Sequence, residues 1–215
     1  MKTEFRQCTQ DDCQLRFPIA AAELIGDSCP RCSGPTLKVS QPDLALHDIQ
    51  TLPVESGMSL SVILDNLRSA YNVGSIVRTA DGAGIGHLYL CGITTTLDHP
   101  KVAKTALGAE ANVESSYHPN ALTLVSDLKS KGAFLVALES RPGAVSLFDP
   151  TLRIPATPSV LVVGNELVGI DPAILELCDQ VVSLPMLGRK HSLNVVVAFG
   201  IASYWFRFAI SHTSA

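Results

Sequence analysis

The sequence predicts an α/β fold built on a mainly parallel sheet, preceded by a small metal-ribbon module. Three observations predict it. From Leu60 onward, short continuous apolar runs alternate with stretches of helical periodicity, the pattern of buried strands joined by helical crossovers. Four of the six cysteines fall within the first 32 residues, in a piece too short to bury a core of its own. The full length of 215 residues suits one ordinary α/β domain plus a small appendage.

Within the sheet region the strand candidates are 60–64 (LSVIL), 87–91 (HLYLC), 112–117 (NVESSY), 133–138 (AFLVAL), 159–163 (SVLVV) and 180–184 (QVVSL). Helical patterns lie near 71–83, 100–107, 120–131, 172–178 and 192–210. Asp171-Pro172 is a good N-cap and first-turn pair for the fourth. The predicted organisation is a zinc-ribbon-like module over 1–40, a linker over 41–57 with Pro42, Pro53 and Gly57, and the α/β domain over 58–215.

In the first module, Cys8-x4-Cys13 and Cys29-x2-Cys32 are separated by fifteen residues. Two pairs of thiolates on short turns are what a tetrahedral zinc ion requires. Pro30 and Gly34 suit a tight knuckle around the second pair, and the first pair is looser. The alternative is four unligated thiols in an Ala-rich segment. Five basic and five acidic residues in segment 1–40 leave its partner open between RNA, protein and a purely structural role.

The composition is 47% hydrophobic and 17% charged, which is globular rather than disordered. A net charge of −4 argues against indiscriminate nucleic-acid binding, where a positive surface supplies most of the affinity. A local basic patch is still compatible with RNA. The N-terminus MKTEFRQC lacks a signal-peptide core. The longest apolar stretch, Leu193 to Ile210, is interrupted by Asn194 and Arg207 and reads as a buried helix rather than a membrane anchor. The expectation is a cytoplasmic protein with no membrane partner, in which cysteines serve as metal ligands or free thiols.

Three polar clusters sit where strands end, the edge at which open α/β sheets bind ligands. The first, LDNLRSAYNVGSIVRTADGAG (64–84), runs from a strand into a helix carrying Asn72, Ser75 and Arg78 at threefold spacing. The bland reading makes Asn72 a helix cap and Arg78 a solvated charge. The second, VLVVGNELVGI (160–170), ends a continuous strand at Gly164, where a missing side chain permits a close approach to a ligand, followed by Asn165 and Glu166. Alone it could be a mere turn. The third, LPMLGRKHSLNVVVAFG (184–200), places Arg189, Lys190 and His191 in a loop that could meet phosphate, before Ser192 opens the last helix. A plain N-cap is the competing role for Ser192.

Together these clusters resemble the three motifs of the SpoU (TrmH-type) RNA methyltransferases of the SPOUT superfamily. The first is matched by Asn66, Asn72-Val73-Gly74, Ile76, Arg78-Thr79-Ala80 and Gly84; the second by Gly164, Asn165, Glu166 and Gly169. The third is matched by Pro185, Met186, Gly188, Ser192, Leu193, Asn194 and Ala198, and KTALGAE (104–110) also resembles the family. The likeness covers about 150 residues and omits 1–57.

The resemblance implies a deep C-terminal trefoil knot, a homodimer with sites at the subunit interface, and S-adenosylmethionine as cofactor. It implies methyl transfer to a ribose 2′-hydroxyl of transfer or ribosomal RNA, single-stranded loops being the better substrates. Leu138, Gly164, Asn165, Leu184, Met186 and Leu193 would bind the cofactor, and Arg78, Asn72, Glu166, Ser192 and Asn194 would form the catalytic set. Glu166 would orient groups from the second subunit, and Tyr204 and Trp205 would pack in the knot and dimer interface. The family assigns proton handling to the arginine matching Arg78, yet a guanidinium with a pKa above ~12 has no acceptor. Clamping a phosphate and stabilising developing alkoxide charge fits it better. Two other functions compete: a non-catalytic RNA-binding or assembly protein that keeps the fold, and a base methyltransferase of the same superfamily.

Overall fold

The computed structural model describes residues 3–20, 28–41, 60–155 and 158–209. The chain divides into two compact units, Met1–Pro53 and Val54–Ala215. Apart from Gln41, the linker expected over 41–57 lies outside the described residues.

The first unit is a three-stranded antiparallel sheet, β1 (Thr3–Cys8), β2 (Arg16–Ala20) and β3 (Thr36–Ser40), with β1 in the middle. Arg6 is buried on the central strand. Its Nε donates to Thr36 Oγ1 at 2.8 Å, Nη2 to the Thr36 carbonyl at 2.9 Å, and Nη1 meets Glu4 at 2.8 Å. A buried charge must be paired and hydrogen-bonded, and here that requirement ties β1 to β3. Two turns carry the cysteines, each tightened by a residue with positive φ, Gln14 (46°) and Ser33 (60°).

The second unit carries a seven-stranded sheet. Its strands are β4 (Leu60–Asp65), β5 (His87–Cys91), β6 (Glu114–His118), β7 (Phe134–Leu138), β8 (Val145–Ser146), β9 (Ser159–Val163) and β10 (Gln180–Ser183). The spatial order is β6-β5-β4-β9-β7-β10-β8, and every pairing is parallel. Parallel strands share one carboxyl edge, so everything that follows β4, β9, β7 and β10 emerges side by side.

Helices α1 (Ala70–Gly82), α2 (Pro100–Ala106) and α5 (Val195–Ala209) cover one face, and α3 (Ala121–Ser130) and α4 (Pro172–Leu177) the other. Strand β9 shows why its run is unbroken: Leu161 and Val163 pack with α1 and α5, and Val160 and Val162 with α3 and α4. Both faces are buried, so no polar alternation is needed. Ser69, Asn120 and Asp171 cap α1, α3 and α4 through their side chains. Arg207 closes the far end, donating to the Ala83 carbonyl at 2.9 Å and to that of Gly84. Among the described residues, no helix is long and apolar enough to cross a membrane.

Three expectations are corrected. Strand 112–117 is Glu114–His118, because 109–111 form a 3-10 turn and Asn112 closes it. The last helix begins at Val195 instead of Ser192: Asn194 Oδ1 accepts from the Val196 N–H at 2.8 Å, and its carbonyl accepts from Ala198. Ser192 is therefore neither in the helix nor its cap. Asn72 is no cap either, since Ser69 Oγ takes that role and accepts the Asn72 N–H.

Gly74 marks the closest approach of α1 to α2. A methyl there would lie 2.2 Å from Thr105 Oγ1 and 2.3 Å from the Val102 carbonyl oxygen. Alanine's helix propensity favours Gly74→Ala by about 1 kcal/mol, but overpacking against backbone costs about 1–3 kcal/mol. A net loss of up to about 2 kcal/mol is expected as a lower urea midpoint at unchanged slope. An unchanged midpoint would show that the two helices separate freely.

Candidate active site

At the carboxyl edge of the central strands lies a cavity of about 760 Å³, within the range of small-molecule sites. Four chain segments line it: Arg68 and Asn72 after β4, 138–140 after β7, 163–169 after β9, and 183–198 (in part) after β10. The order β4-β9-β7-β10 puts the 164–169 turn in the middle, with Arg68 and Asn72 on one flank and Leu138 and Leu184 on the other.

That turn is held from several sides. Asn165 and Gly169 exchange backbone hydrogen bonds of 3.0 and 2.9 Å. Asn165 Oδ1 accepts the N–H groups of Leu167 (2.9 Å) and Val168 (3.2 Å), and its Nδ2 donates to the Asn66 carbonyl at 2.7 Å. Asn66 sits at a φ of 58°, an uncommon conformation that asparagine tolerates. Its own side chain joins Asp65 (2.8 Å) and the Ile93 N–H (3.2 Å). Asp65 lies buried beneath, its carboxyl pushed above the usual range by desolvation and by the charge of Asp171, against the Asn66 hydrogen bond.

Gly164 is required for a reason different from the expected one. A Cβ there would lie 2.5 Å from the Gly169 carbonyl group and 2.6 Å from the Ile170 nitrogen. The close approach is made by the protein's own turn folding back over the strand end.

Glu166 also meets groups of its own chain. Its carboxylate is engaged by this chain's own groups: the N–H groups of Arg68 (3.0 Å) and Ser69 (3.3 Å) and Asn72 Nδ2 (3.0 Å). It thus binds amides at the start of α1, where the helix dipole favours negative charge, and fixes the Asn72 side chain. Partial burial raises its pKa, but the hydrogen bonds from Arg68, from its own N–H, from Asn72 and from Ser69 outweigh that and lower it from 4.5.

Of the residues singled out in the sequence, the structure brings Asn72, Leu138, Gly164, Asn165, Glu166, Leu184, Met186, Ser192, Leu193 and Asn194 into the lining of one cavity. Asn165 acts there through its turn, and Asn194 also holds the start of α5. Arg78 is not among the lining residues; it is exposed, near the middle of α1. Sequence reasoning missed Arg68, Glu139 and Ser140 as site residues and gave His191 only a possible phosphate contact, whereas all four line the cavity. Glu139 and Ser140 directly follow a predicted strand and Arg68 lies four residues beyond one, so the strand-end rule carried the signal. The apolar tips Leu167 and Val168 are exposed by 73% and 84%, which leaves the cavity mouth open on that side.

In the first unit the sulfurs of Cys8, Cys13, Cys29 and Cys32 all lie within 4.8 Å of one another. The Cys8–Cys32 and Cys13–Cys29 sulfurs are 3.4 and 3.8 Å apart. A tetrahedron with metal–sulfur bonds of about 2.3 Å has sulfur–sulfur edges of about 3.8 Å, so the donor set fits zinc. The Arg31 N–H points at Cys29 Sγ (3.4 Å), as expected of a knuckle.

The depressed Glu166 carboxyl makes a pH-dependent prediction. A folded pKa below the unfolded 4.5 contributes stability that is full above 4.5 and is lost as pH falls through the folded value. Glu166→Ala is expected to lower stability by about 0.5–2 kcal/mol at neutral pH, the usual cost of a lost cap. Urea titrations should show the gap from wild type shrinking in acid. A gap constant with pH would show that the carboxylate charge is not what holds α1.

The model of the SpoU rRNA Methylase family matches residues 59–204. The chain is 32% identical over 152 residues to the tRNA (guanosine(18)-2′-O)-methyltransferase of Aquifex aeolicus, covering 67% of this chain and 67% of that one. It is 32% identical over 147 residues to the 23S rRNA (guanosine(2553)-2′-O)-methyltransferase RlmP of Bacillus subtilis, covering 68% and 57%. The crystal structure of an AdoMet-bound rRNA methyltransferase from Sinorhizobium meliloti superposes with a TM-score of 0.65 at 27% identity, over 73% of this chain and 57% of that one. The chain therefore spans roughly three-fifths of the length of such relatives. A family match across most of the sheet unit, together with relatives this similar, shows that the chain belongs to the SpoU rRNA methylase family.

Proposed function

We propose that the protein is an S-adenosylmethionine-dependent RNA methyltransferase acting on a ribose 2′-hydroxyl of tRNA or rRNA. The observation that carries this reading is the cavity at the β4-β9-β7-β10 edge, where ten residues of the three motifs converge. Both flanks fit the parts required. Leu138, Gly164, Leu184, Met186 and Leu193 offer apolar surface and bare backbone for an adenosine, and Asn72, Ser192 and Asn194 offer polar groups for a ribose. The relatives named above act on tRNA and rRNA, and one solved relative binds AdoMet.

When bound, the cofactor supplies a methyl on a sulfonium whose departure as a neutral thioether needs no acid. The residues of the chain then have two tasks: to align the hydroxyl oxygen with that methyl and to accommodate its departing proton. Glu166 fixes Asn72 so that its amide faces the cavity, and Ser192 and Asn194 hold the ribose edge. Arg78 clamps a phosphate and stabilises the alkoxide. Because it lies off its own cavity, it does so from a second copy of the chain.

The homodimer rests on α5. Val197, Ile201, Tyr204 and Phe208 recur at helical spacing and are exposed by 50%, 37%, 45% and 50%. Such a continuous apolar stripe marks an interaction face, and an isologous contact buries it on both copies. Trp205, by contrast, packs against the core of its own chain. The trefoil knot is supported by the insertion of β9 between β4 and β7 and of β10 between β7 and β8, which makes later segments cross earlier ones. Structural zinc on Cys8, Cys13, Cys29 and Cys32 completes the reading, with the cytoplasm as the compartment that keeps those thiols reduced.

The decisive test is mass-spectrometric mapping of ribose methylation in RNA from a deletion strain, followed by transfer of labelled methyl to the unmodified RNA by purified protein. The label should survive alkaline hydrolysis as an uncleaved dinucleotide; label recovered on a base would overturn the ribose assignment. Arg78→Ala and Asn194→Ala should each lower turnover on the order of 10²-fold or more with little loss of RNA binding. Mixed dimers of the two inactive chains should regain activity, and no recovery would mean that Arg78 does not act across the interface. Metal analysis should find about one zinc per chain, lost in the Cys29→Ser, Cys32→Ser double variant.

A further inference from the structure

Glu139 is the carboxylate of the cavity that neither the motifs nor the steps above employ. It follows β7 directly, where its N–H donates to the Val182 carbonyl at 2.9 Å and ties its backbone to β10. Its Oε2 accepts the Ile170 N–H at 3.0 Å. At Gly169 (φ 75°) a Cβ would lie 2.6 Å from Oε2 and 3.0 Å from Oε1. The carboxylate therefore lies against bare backbone and cannot swing toward the turn. Among the described residues Oε1 receives no hydrogen bond, while Glu139 lines the cavity beside Leu138, Gly164 and Leu184. One oxygen is anchored, and the other is an acceptor without a donor on a residue that lines the cavity.

Its place in the sheet says what that acceptor meets. Strands β4 and β7 flank β9, so Glu139 stands across the 164–169 turn from Arg68 and Asn72, on the side assigned to adenosine. We propose that Glu139 Oε1 accepts a hydrogen bond from the ribose hydroxyls of the cofactor's adenosine. The inference rests on the cofactor reading above. A carboxylate at the end of a parallel strand is placed as those that take nucleotide ribose hydroxyls on open α/β sheets. The cofactor's ammonium group is the competing partner for this carboxylate, and the two ligands of the test separate it from the ribose.

The test measures binding by titration calorimetry with two nucleosides, S-adenosylhomocysteine and 5′-methylthioadenosine. Both keep the ribose, and the second lacks the amino acid. In Glu139→Gln the amide oxygen keeps the Ile170 bond and an NH2 group replaces the free acceptor, so the fold is retained. Glu139→Gln should weaken both ligands about tenfold, with an unliganded melting temperature close to wild type. Equal affinity of Glu139→Gln and wild type for both nucleosides would overturn the proposal. So would a loss confined to S-adenosylhomocysteine, which would assign Glu139 to the ammonium group. A melting temperature that falls as far in Glu139→Gln as in Glu139→Ala would reduce the residue to a support for Ile170. Wild-type protein that binds neither nucleoside would instead overturn the cofactor reading, and this inference with it.

Discussion

The arrangement at the carboxyl edge depends on one bond, from Asn165 Nδ2 to the Asn66 carbonyl at 2.7 Å. It joins the turn after β9 to the segment after β4, two places 99 residues apart in the chain. Around it every polar group has a second function. Asn66, in a left-handed conformation, steadies Asp65 and Ile93; Asn165 also shapes its own turn. With the turn fixed, Glu166 reaches the amides of Arg68 and Ser69 just before α1, and Asn72 follows from Glu166. A site on the ends of several strands stays in register through such cross-links, because loops alone are mobile.

Much of the sheet was legible in the sequence because buried parallel strands leave a strong trace. SVLVV and HLYLC matched their strands end to end. The start of α5 was not legible. Ser192 and Asn194 are both good caps, and the structure uses Asn194, whose Oδ1 accepts the Val196 N–H. Sequence also singled out Gly164 but not the neighbour that fills the space beside it. The absent side chain was read as space for a ligand, and a contact with Gly169, five residues on, occupies it.

The charged residues show a further boundary. Glu166 and Arg78 both stood out by motif, and a motif carries no direction. Glu166 turns inward onto amides that no pattern could have named as its partners. Arg78 is exposed and does not line the cavity of its own chain, which its motif did not announce. In the cysteine module, by contrast, spacing alone sufficed to find four sulfurs that converge, since ligand chemistry restricts the geometry so tightly. What spacing could not supply was Arg6, a buried cation in a segment of balanced charge, held by Thr36 and Glu4.

The place of β9 also bears on how the chain reaches its native state. Leu60 of β4 pairs with Ser159 of β9, and Phe134 of β7 pairs with the same residue from the other side. Neither β4 nor β7 has its central neighbour until β9 exists, so during synthesis two apolar strand edges wait unpaired. Sheets closed by such distant pairings fold slowly, and their waiting edges are open to association with other chains. The centre of the finished sheet is thus assembled late, and the span between the emergence of β4 and the arrival of β9 is the interval in which a nascent chain most needs shielding.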